Sequence, residues 1–391
     1  MPKSGDGKCL YLMTSNAEEE YMADGFECLG LPRGFVVHFR YRLQWVDMAL
    51  TALLDHEGRK LGASLRKLPV VVSYLCQRWS SEGGWNWERV YPLRLGRLVS
   101  AFKSGDDEED IAHFYFELGD FVGGNESGSE HDELPGFGKP LAAARGSGKY
   151  AFLGEQSSDD NTSLKSDESA FRQLAEAIRP EHLILAKETD LGSRVVPLFC
   201  FIEGIRQAKG RHRPVLKPRF DGATLRAYYE LAEGTRYALD VCFHVPVSLR
   251  GSKGELLLEE KGDALSIACA NPIPVESRYD KDSWLVIPKL LEREMWSHMV
   301  VSSRVLIAGA DGASTKALVL RFHAPIKITP RRARRVLVQL VDVVGGVAFA
   351  AATALVALSD TAVVPDRWPF LAVALYIAWM LTKLVLVFLH V

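Results

Sequence analysis

The side chains best suited to chemistry are basic residues in the amino-terminal part of the chain. The segment GFVVHFRYR alternates apolar and basic residues, so a strand here would place His38, Arg40 and Arg42 on one face. Arg94 and Arg97, in PLRLGRL, would extend that face if both strands belong to one sheet. Because guanidinium groups bind phosphate oxygens in pairs, this surface predicts an anion site for a nucleotide, a phosphate or a lipid headgroup. A solvated sheet face covered by long basic side chains is the alternative.

The other chemical motifs are incomplete. RGSGKY, at 145–150, resembles the end of a phosphate-binding loop, but Tyr150 stands where a Ser or Thr is needed and Ala143 where the first Gly is needed. Glu294 and His298 form a single pair, whereas zinc requires three or four ligands. With no G-x-S-x-G motif either, the sequence predicts no catalytic group, no metal site and no cofactor.

Composition limits the classes of partner. The formal net charge of −2 does not predict nucleic-acid binding. The six cysteines have no Cys-x-x-Cys spacing, which favours reduced core thiols over disulfides or zinc ligands. Three tryptophans in RWSSEGGWNWER predict an aromatic loop that either binds a ligand or anchors itself by packing; they are Trp79, Trp85 and Trp87.

The elements that would position these residues are mainly strands. Residues 1–122 predict a strand-rich α+β module with a helix at 45–54, and residues 123–167 form a Gly-, Ser- and acid-rich stretch that predicts a flexible linker. Residues 168–328 predict a β-sandwich-like module that begins with a short helix at 168–178. The predicted fold class is therefore mainly β, with a membrane segment at 329–391.

The carboxy-terminal segment predicts a two-helix transmembrane hairpin. Residues 336–358 and 370–391 are apolar runs of about the 20 residues that a helix needs to cross a ~30 Å hydrocarbon layer. Four arginines precede the first run and predict that residues 1–330 are cytoplasmic, in a cell membrane if the source is prokaryotic; they are Arg331, Arg332, Arg334 and Arg335. The lipid bilayer is thus a predicted partner.

Two features within the hairpin predict contacts between helices. Gly346, Ala350 and Ala354 recur every four residues, the spacing of small residues that lets helices approach closely, either within one hairpin or between self-associating copies. Asp342 and Lys383 would lie at a similar depth, about 10 and 12 Å from the cytoplasmic ends of their helices. They predict an intramembrane ion pair, with hydration of Asp342 and snorkelling of Lys383 as the alternative.

Three functions fit these features. The first is a membrane-anchored, non-enzymatic protein whose cytoplasmic β modules bind an unidentified ligand or protein. The second is a membrane-disrupting or pore-forming effector triggered through its cytoplasmic part. The third is an enzyme that acts on a lipid or nucleotide near the membrane through the basic sheet face.

Overall fold

The structure is a computed structural model. It describes residues 8–54, 68–79, 85–106, 109–122, 148–155, 167–186, 197–208, 214–246, 252–291, 293–307, 319–330, 343, 345–347, 349–351, 353–354, 374 and 376–380.

The amino-terminal part is built on one six-stranded sheet. In chain order the elements are β1 (Lys8–Ser15), α1 (Glu19–Gly30), β2 (Val36–Arg42), a 3-10 turn (Leu43–Trp45), α2 (Met48–Thr51), β3 (Pro69–Trp79), β4 (Trp85–Asp106), β5 (Glu109–Phe121) and β6 (Ala151–Glu155). The strand order is β2-β5-β4-β3-β1-β6, with β1 parallel to β3 and its other partner, β6, antiparallel. Five of the six strands, β1 to β5, lie within 1–122, the stretch for which the sequence predicts a strand-rich module.

The helices of this part differ from the prediction. The sequence pattern did not predict α1, which buries Phe26, Cys28 and Leu29 and begins with an acidic turn, a favourable charge at a helix amino terminus. The helix expected at 45–54 is only one turn long: Asp47 caps its start by accepting a hydrogen bond from the Ala49 amide, and the helix ends at Thr51.

Part of the predicted linker is a strand. β6 lies inside 123–167 and pairs with β1 from Leu12↔Ala151 to Lys8↔Glu155. Its Phe152 stacks on Tyr11 at 5.0 Å between ring centroids, so this stretch buries enough apolar surface to be ordered. Residues 123–147 and 156–166 of the predicted linker lie outside the described residues.

The second part begins with the predicted helix, α3 (Asp167–Ala177), and a 3-10 turn (Pro180–Leu183). Ten strands follow: β7 (Phe199–Gln207), β8 (Arg219–Asp221), β9 (Arg226–Ala232), β10 (Tyr237–His244), β11 (Ser252–Lys261), β12 (Leu265–Ile267), β13 (Ile273–Val275), β14 (Tyr279–Pro288), β15 (Met295–Ile307) and β16 (Val319–Thr329). They form a four-stranded sheet, β12-β14-β10-β7, and a six-stranded sheet, β13-β11-β15-β16-β9-β8.

The arrangement of these two sheets fits the predicted sandwich. The buried Ser303 hydroxyl of β15 donates to the carbonyl of Leu198, beside β7 in the other sheet. β10, in the middle of the smaller sheet, is buried on both faces, including Asp240, Cys242 and His244. The mainly β prediction is confirmed by these sheets.

The chain divides into two compact units. The first contains 1–230, 236–287 and 297–326, and the second contains 231–235, 288–296 and 327–391. Within the second unit, the Glu233 amide donates to Thr329 and its carboxylate accepts from the Leu291 amide at 3.0 Å. Lys327 pairs with Glu294 at 2.9 Å.

Inside the predicted spans, the described residues are helical, at positions between 343 and 354 and between 374 and 380. Phe349 lies 5.5 Å from Tyr376 between ring centroids, and a Cβ added at Gly345 would overlap the Trp379 indole. Among the residues described here, no helix has both the length and the apolarity to cross a membrane. The hairpin therefore stays a prediction. The four orienting arginines and the Asp342–Lys383 pair lie outside the described residues.

Candidate ligand-binding cleft

A cleft of about 650 Å³ opens within the first unit. Its walls are residues 32–34 after α1, parts of β4 and β5, the start of α3, parts of β7 and β9, and residues 215–218. Small-molecule sites in proteins usually occupy 300–1,000 Å³, at the junction of structural parts. The cleft therefore has the size and setting of a small-ligand site.

Aromatic residues form the apolar wall. Phe121, Phe201 and Tyr229 line the cleft. Phe121 and Phe201 pack edge to face with 5.3 Å between ring centroids, and Tyr229 packs edge to face on Phe35 at 5.1 Å. These contacts fix the rings, so the wall is formed before a ligand arrives.

Arg94 places a fixed cation in this wall. Its side chain is 1% exposed, and its guanidinium lies 3.5 Å from the Phe121 ring centroid. It donates hydrogen bonds to the carbonyls of Leu31 at 2.7 Å and Gly119 at 2.9 Å. Buried charges need such partners, so Arg94 both supports the wall and supplies positive charge to the cleft.

The carboxylates of the cleft are paired with basic side chains. Glu117 accepts from Arg97 at 2.6 Å. Glu168 and Glu203 both contact the Lys281 ammonium, at 2.7 and 2.9 Å, and the hydrogen bond from Lys281 lowers the pKa of Glu168. Lys281 is shared by two carboxylates and offsets one of their two charges, and Arg97 offsets the charge of Glu117.

The basic side chains at the mouth are not equivalent. Arg33 is paired with Asp120 at 2.6 Å. Within the described part of the chain, Lys217 has no carboxylate at ion-pair distance, and it lines the cleft from an exposed position. Lys217 and Arg94 therefore favour an anionic group in the cleft.

The predicted basic face is only partly basic in the structure. His38, Arg40 and Arg42 lie on the same face of the sheet as Arg97. The register shows this, because Val36 of β2 and Arg97 of β4 are both paired with Glu117 of β5. Arg40 pairs with Glu20 at 3.3 Å, and Arg97 with Glu117. Arg94, predicted to join them, is instead buried in the cleft wall.

The middle of that face is a stack of rings. His38 lies 4.1 Å from Tyr115, and Phe102 lies 4.8 Å from His113, between ring centroids. The His38 Nε2 and His113 Nδ1 atoms are 3.0 Å apart, and His113 Nε2 is 2.6 Å from the Ser104 hydroxyl. Burial, then the neighbouring His113, Arg40 and Arg226, lowers the pKa of His38 to about 4. Burial, then Arg40, also lowers the pKa of His113. Both shifts favour the neutral imidazole, which weakens this face as an anion site.

Other residues named from the sequence have structural contacts. Lys149 of RGSGKY donates to the Gln44 carbonyl at 2.7 Å, and the Tyr150 hydroxyl accepts from the Gln77 amide at 2.6 Å. The Trp87 ring packs against the Tyr150 ring, with 5.9 Å between ring centroids. This contact favours loop anchoring over ligand contact. The side chains of Trp79 and Trp85 lie outside the described residues.

In the predicted hairpin, Gly345 makes the close approach to Trp379, whereas Gly346 has open space around it. Gly346, Ala350 and Ala354 are all exposed.

The cleft itself was missed by sequence reasoning. Phe201, Lys217 and Tyr229 belong to segments far from Arg94 along the chain, and none carries a motif. Only their convergence in the folded chain identifies them.

Comparison of the chain with protein-family models gives no match, and comparison with curated proteins gives none either.

Proposed function

We propose that the β-rich part of this protein is a non-enzymatic binding module for a small anionic ligand. The observation that supports the proposal is the exposed Lys217, which has no carboxylate at ion-pair distance among the described residues, whereas the cleft carboxylates contact Arg97 and Lys281. The ligand's anionic group would contact Lys217 at the mouth. Its apolar or ring-shaped portion would lie against Phe121, Phe201 and Tyr229.

Membrane attachment belongs to the same proposal. The apolar runs at 336–358 and 370–391 support a hairpin that holds the binding module at the cytoplasmic face of a bilayer.

Binding measurements with the full-length chain in detergent test the cleft. The probes are inorganic phosphate, adenosine monophosphate and glycerophosphoserine, which separate a free phosphate, a nucleotide and a lipid headgroup. We expect at least one to raise the melting temperature and to bind measurably in isothermal titration calorimetry. Lys217→Gln should weaken that binding about tenfold, corresponding to the loss of one charged contact of ~1.4 kcal/mol.

Lys253→Gln is the matched control, because Lys253 is an exposed lysine that does not line the cleft. It should leave binding unchanged. Equal weakening by both variants would point to non-specific attraction between charges. Absence of binding by all three probes would contradict the proposal.

A second function, a membrane-disrupting effector, is favoured by one observation. Gly346, Ala350 and Ala354 are exposed on the described helical residues, while the contact between the two helical stretches uses Gly345 and Trp379. A small-residue face left exposed by packing within the hairpin suits association between copies. The effector function requires that expression of the full chain depolarises the membrane, whereas the anchored binding module does not.

A further inference from the structure

Three residues with metal-ligating side chains converge at one end of the amino-terminal sheet. Cys76 is at the end of β3, Glu88 is near the start of β4, and His182 is in the 3-10 turn after α3. One ligating atom from each lies within 4.8 Å of those of the other two. The Glu88 Oε2 atom is 3.8 Å from both Cys76 Sγ and His182 Nε2.

The two separations that involve Glu88 are close to those of a tetrahedral zinc site. With Zn–S near 2.3 Å and Zn–N and Zn–O near 2.1 Å, ligand atoms around one ion are about 3.4–3.6 Å apart. The observed 3.8 Å exceeds this by a few tenths of an ångström. A small movement of the Glu88 side chain, which is 29% exposed, would shorten both of these distances. The third separation, between the ligating atoms of Cys76 and His182, is within 4.8 Å, so zinc binding also requires these two side chains to approach each other.

A β-bulge aims the carboxylate. Along the β3–β4 ladder Cys76 pairs with Arg89 and Gln77 pairs with Trp87, so Glu88 is the extra residue at a register shift. Bulges of this kind re-aim a side chain and are frequent beside functional sites. Arg78 holds the other carboxylate oxygen, Oε1, at 2.9 Å, which leaves Oε2 directed at Cys76 and His182.

Two tyrosines orient the histidine. The Tyr91 hydroxyl is 2.7 Å from His182 Nδ1, and the Tyr74 hydroxyl donates to the His182 backbone carbonyl at 2.8 Å. If Nδ1 carries the proton and donates to Tyr91, the lone pair of Nε2 faces Glu88 and Cys76. Zinc-binding histidines are commonly oriented through their second nitrogen in this way.

Asn16 fastens the turn that carries His182 to the sheet. Its side-chain amide donates to the carbonyls of Ile184 at 3.1 Å and Gln77 at 3.2 Å, and its side-chain oxygen accepts from the Gln77 amide at 2.7 Å. The three candidate ligands therefore lie on hydrogen-bonded backbone, which pre-organises the group.

We propose that Cys76, Glu88 and His182 bind a divalent zinc ion. A thiolate and an imidazole favour zinc over magnesium or calcium, and three protein ligands leave one tetrahedral position for water or another ligand. On binding, the Cys76 thiol proton passes to solvent and the sulfur coordinates as thiolate. The site is separate from the cleft, and neither proposal depends on the other.

No metal site could be predicted from the sequence, because metal motifs are recognised by ligands at short spacings. Here the ligands are twelve and ninety-four residues apart along the chain, by subtraction of their residue numbers. Such a set is visible only in the folded protein.

The test is metal titration of the full-length chain in detergent, after treatment with a chelator. We expect one zinc ion per chain by calorimetry and by elemental analysis. Cobalt, as a spectroscopic substitute, should give a near-ultraviolet charge-transfer band that reports a cobalt–thiolate bond. Cys76→Ser should abolish the band, and Glu88→Gln should weaken zinc binding at least tenfold.

Tyr91→Phe tests the site with a milder change in case the ligand variants do not fold. It keeps all three ligands and removes only the hydroxyl beside His182 Nδ1. It should weaken zinc binding about 10–100-fold, as expected for a residue that orients a ligand. The matched control is Cys242→Ser, because Cys242 is also buried and lies 3.9 Å from a carboxylate, that of Glu203. A cobalt band that survives in Cys76→Ser but vanishes in Cys242→Ser would overturn the assignment. So would zinc binding that is unchanged in Cys76→Ser, Glu88→Gln and Tyr91→Phe alike.

Discussion

Asp24 shows how burial and neighbouring charge act on a single side chain. Burial, then repulsion from Glu27 and Glu20, raises the pKa of its carboxyl to about 8, and attraction to Arg40 only partly opposes this. The folded state therefore binds the Asp24 proton more tightly than the unfolded state does. Its stabilising contribution is full below the unfolded pKa of 3.8 and is lost as pH rises toward 8.

Asp24→Asn removes this titration and should raise the free energy of unfolding at pH 7 by about 2 kcal/mol, after allowance for partial exposure. Chemical denaturation of both proteins between pH 4 and 8 measures the effect. We expect the difference between them to grow with pH. Glu19→Gln, an exposed change on the same helix, should stay within about 0.5 kcal/mol of the parent. Destabilisation by Asp24→Asn at every pH would mean that the carboxylate makes a favourable contact instead.

Two adjacent glycines in the first helical stretch of the predicted hairpin have different surroundings. A Cβ at Gly345 would overlap the Trp379 indole, whereas a Cβ at Gly346 meets nothing within 4 Å. Close helix approach at a glycine depends on the missing side chain.

Gly345→Ala should therefore separate the two helices and lower the yield or melting temperature of the full chain in detergent, by about 1–3 kcal/mol in stability. Gly346→Ala is the control and should have little effect on a single hairpin. If cross-linking between chains falls in Gly346→Leu while Gly345→Ala is harmless, the small-residue face acts between copies rather than within one hairpin.

At the scale of the whole molecule, every residue assigned to the cleft or the proposed zinc site precedes Pro330. The predicted membrane spans all follow it. Binding and membrane attachment thus belong to different stretches of the chain.

A chain that ends at Pro330 should leave the membrane fraction on cell fractionation, because it lacks both apolar runs. Growth and membrane potential, followed after induction of each form, distinguish the two functions. No depolarisation by the full chain supports the anchored binding module. Depolarisation that requires residues 331–391 supports the effector, and retention of the truncated chain in membranes would contradict the predicted hairpin as the anchor.

Many of the strands could be predicted from the sequence alone. Alternation of apolar and polar residues has a period of two, and a window of a few residues such as GFVVHFRYR is enough to show it. The sequence also determined the two apolar runs and the helix at 167–177, whose signals are equally local. It missed α1, and it assigned β6 to a linker because composition outweighed the few apolar residues that the strand buries.

Which charged groups have partners, and which ligating atoms lie close together, follows from the folded chain and not from local sequence. Arg40 and Arg97 predict a basic surface, but each forms an ion pair with a carboxylate in the fold. Lys217 belongs to no motif, and only its position in the cleft identifies it as a candidate ligand contact. Cys76, Glu88 and His182 come together through a β-bulge and through the turn that Asn16 hydrogen-bonds to the sheet. Neither feature can be recognised from residue spacing. Backbone conformation depends mainly on neighbours along the chain, so a short window of sequence predicts it. Electrostatic balance and metal coordination depend instead on distances of a few ångströms between segments that are remote in sequence.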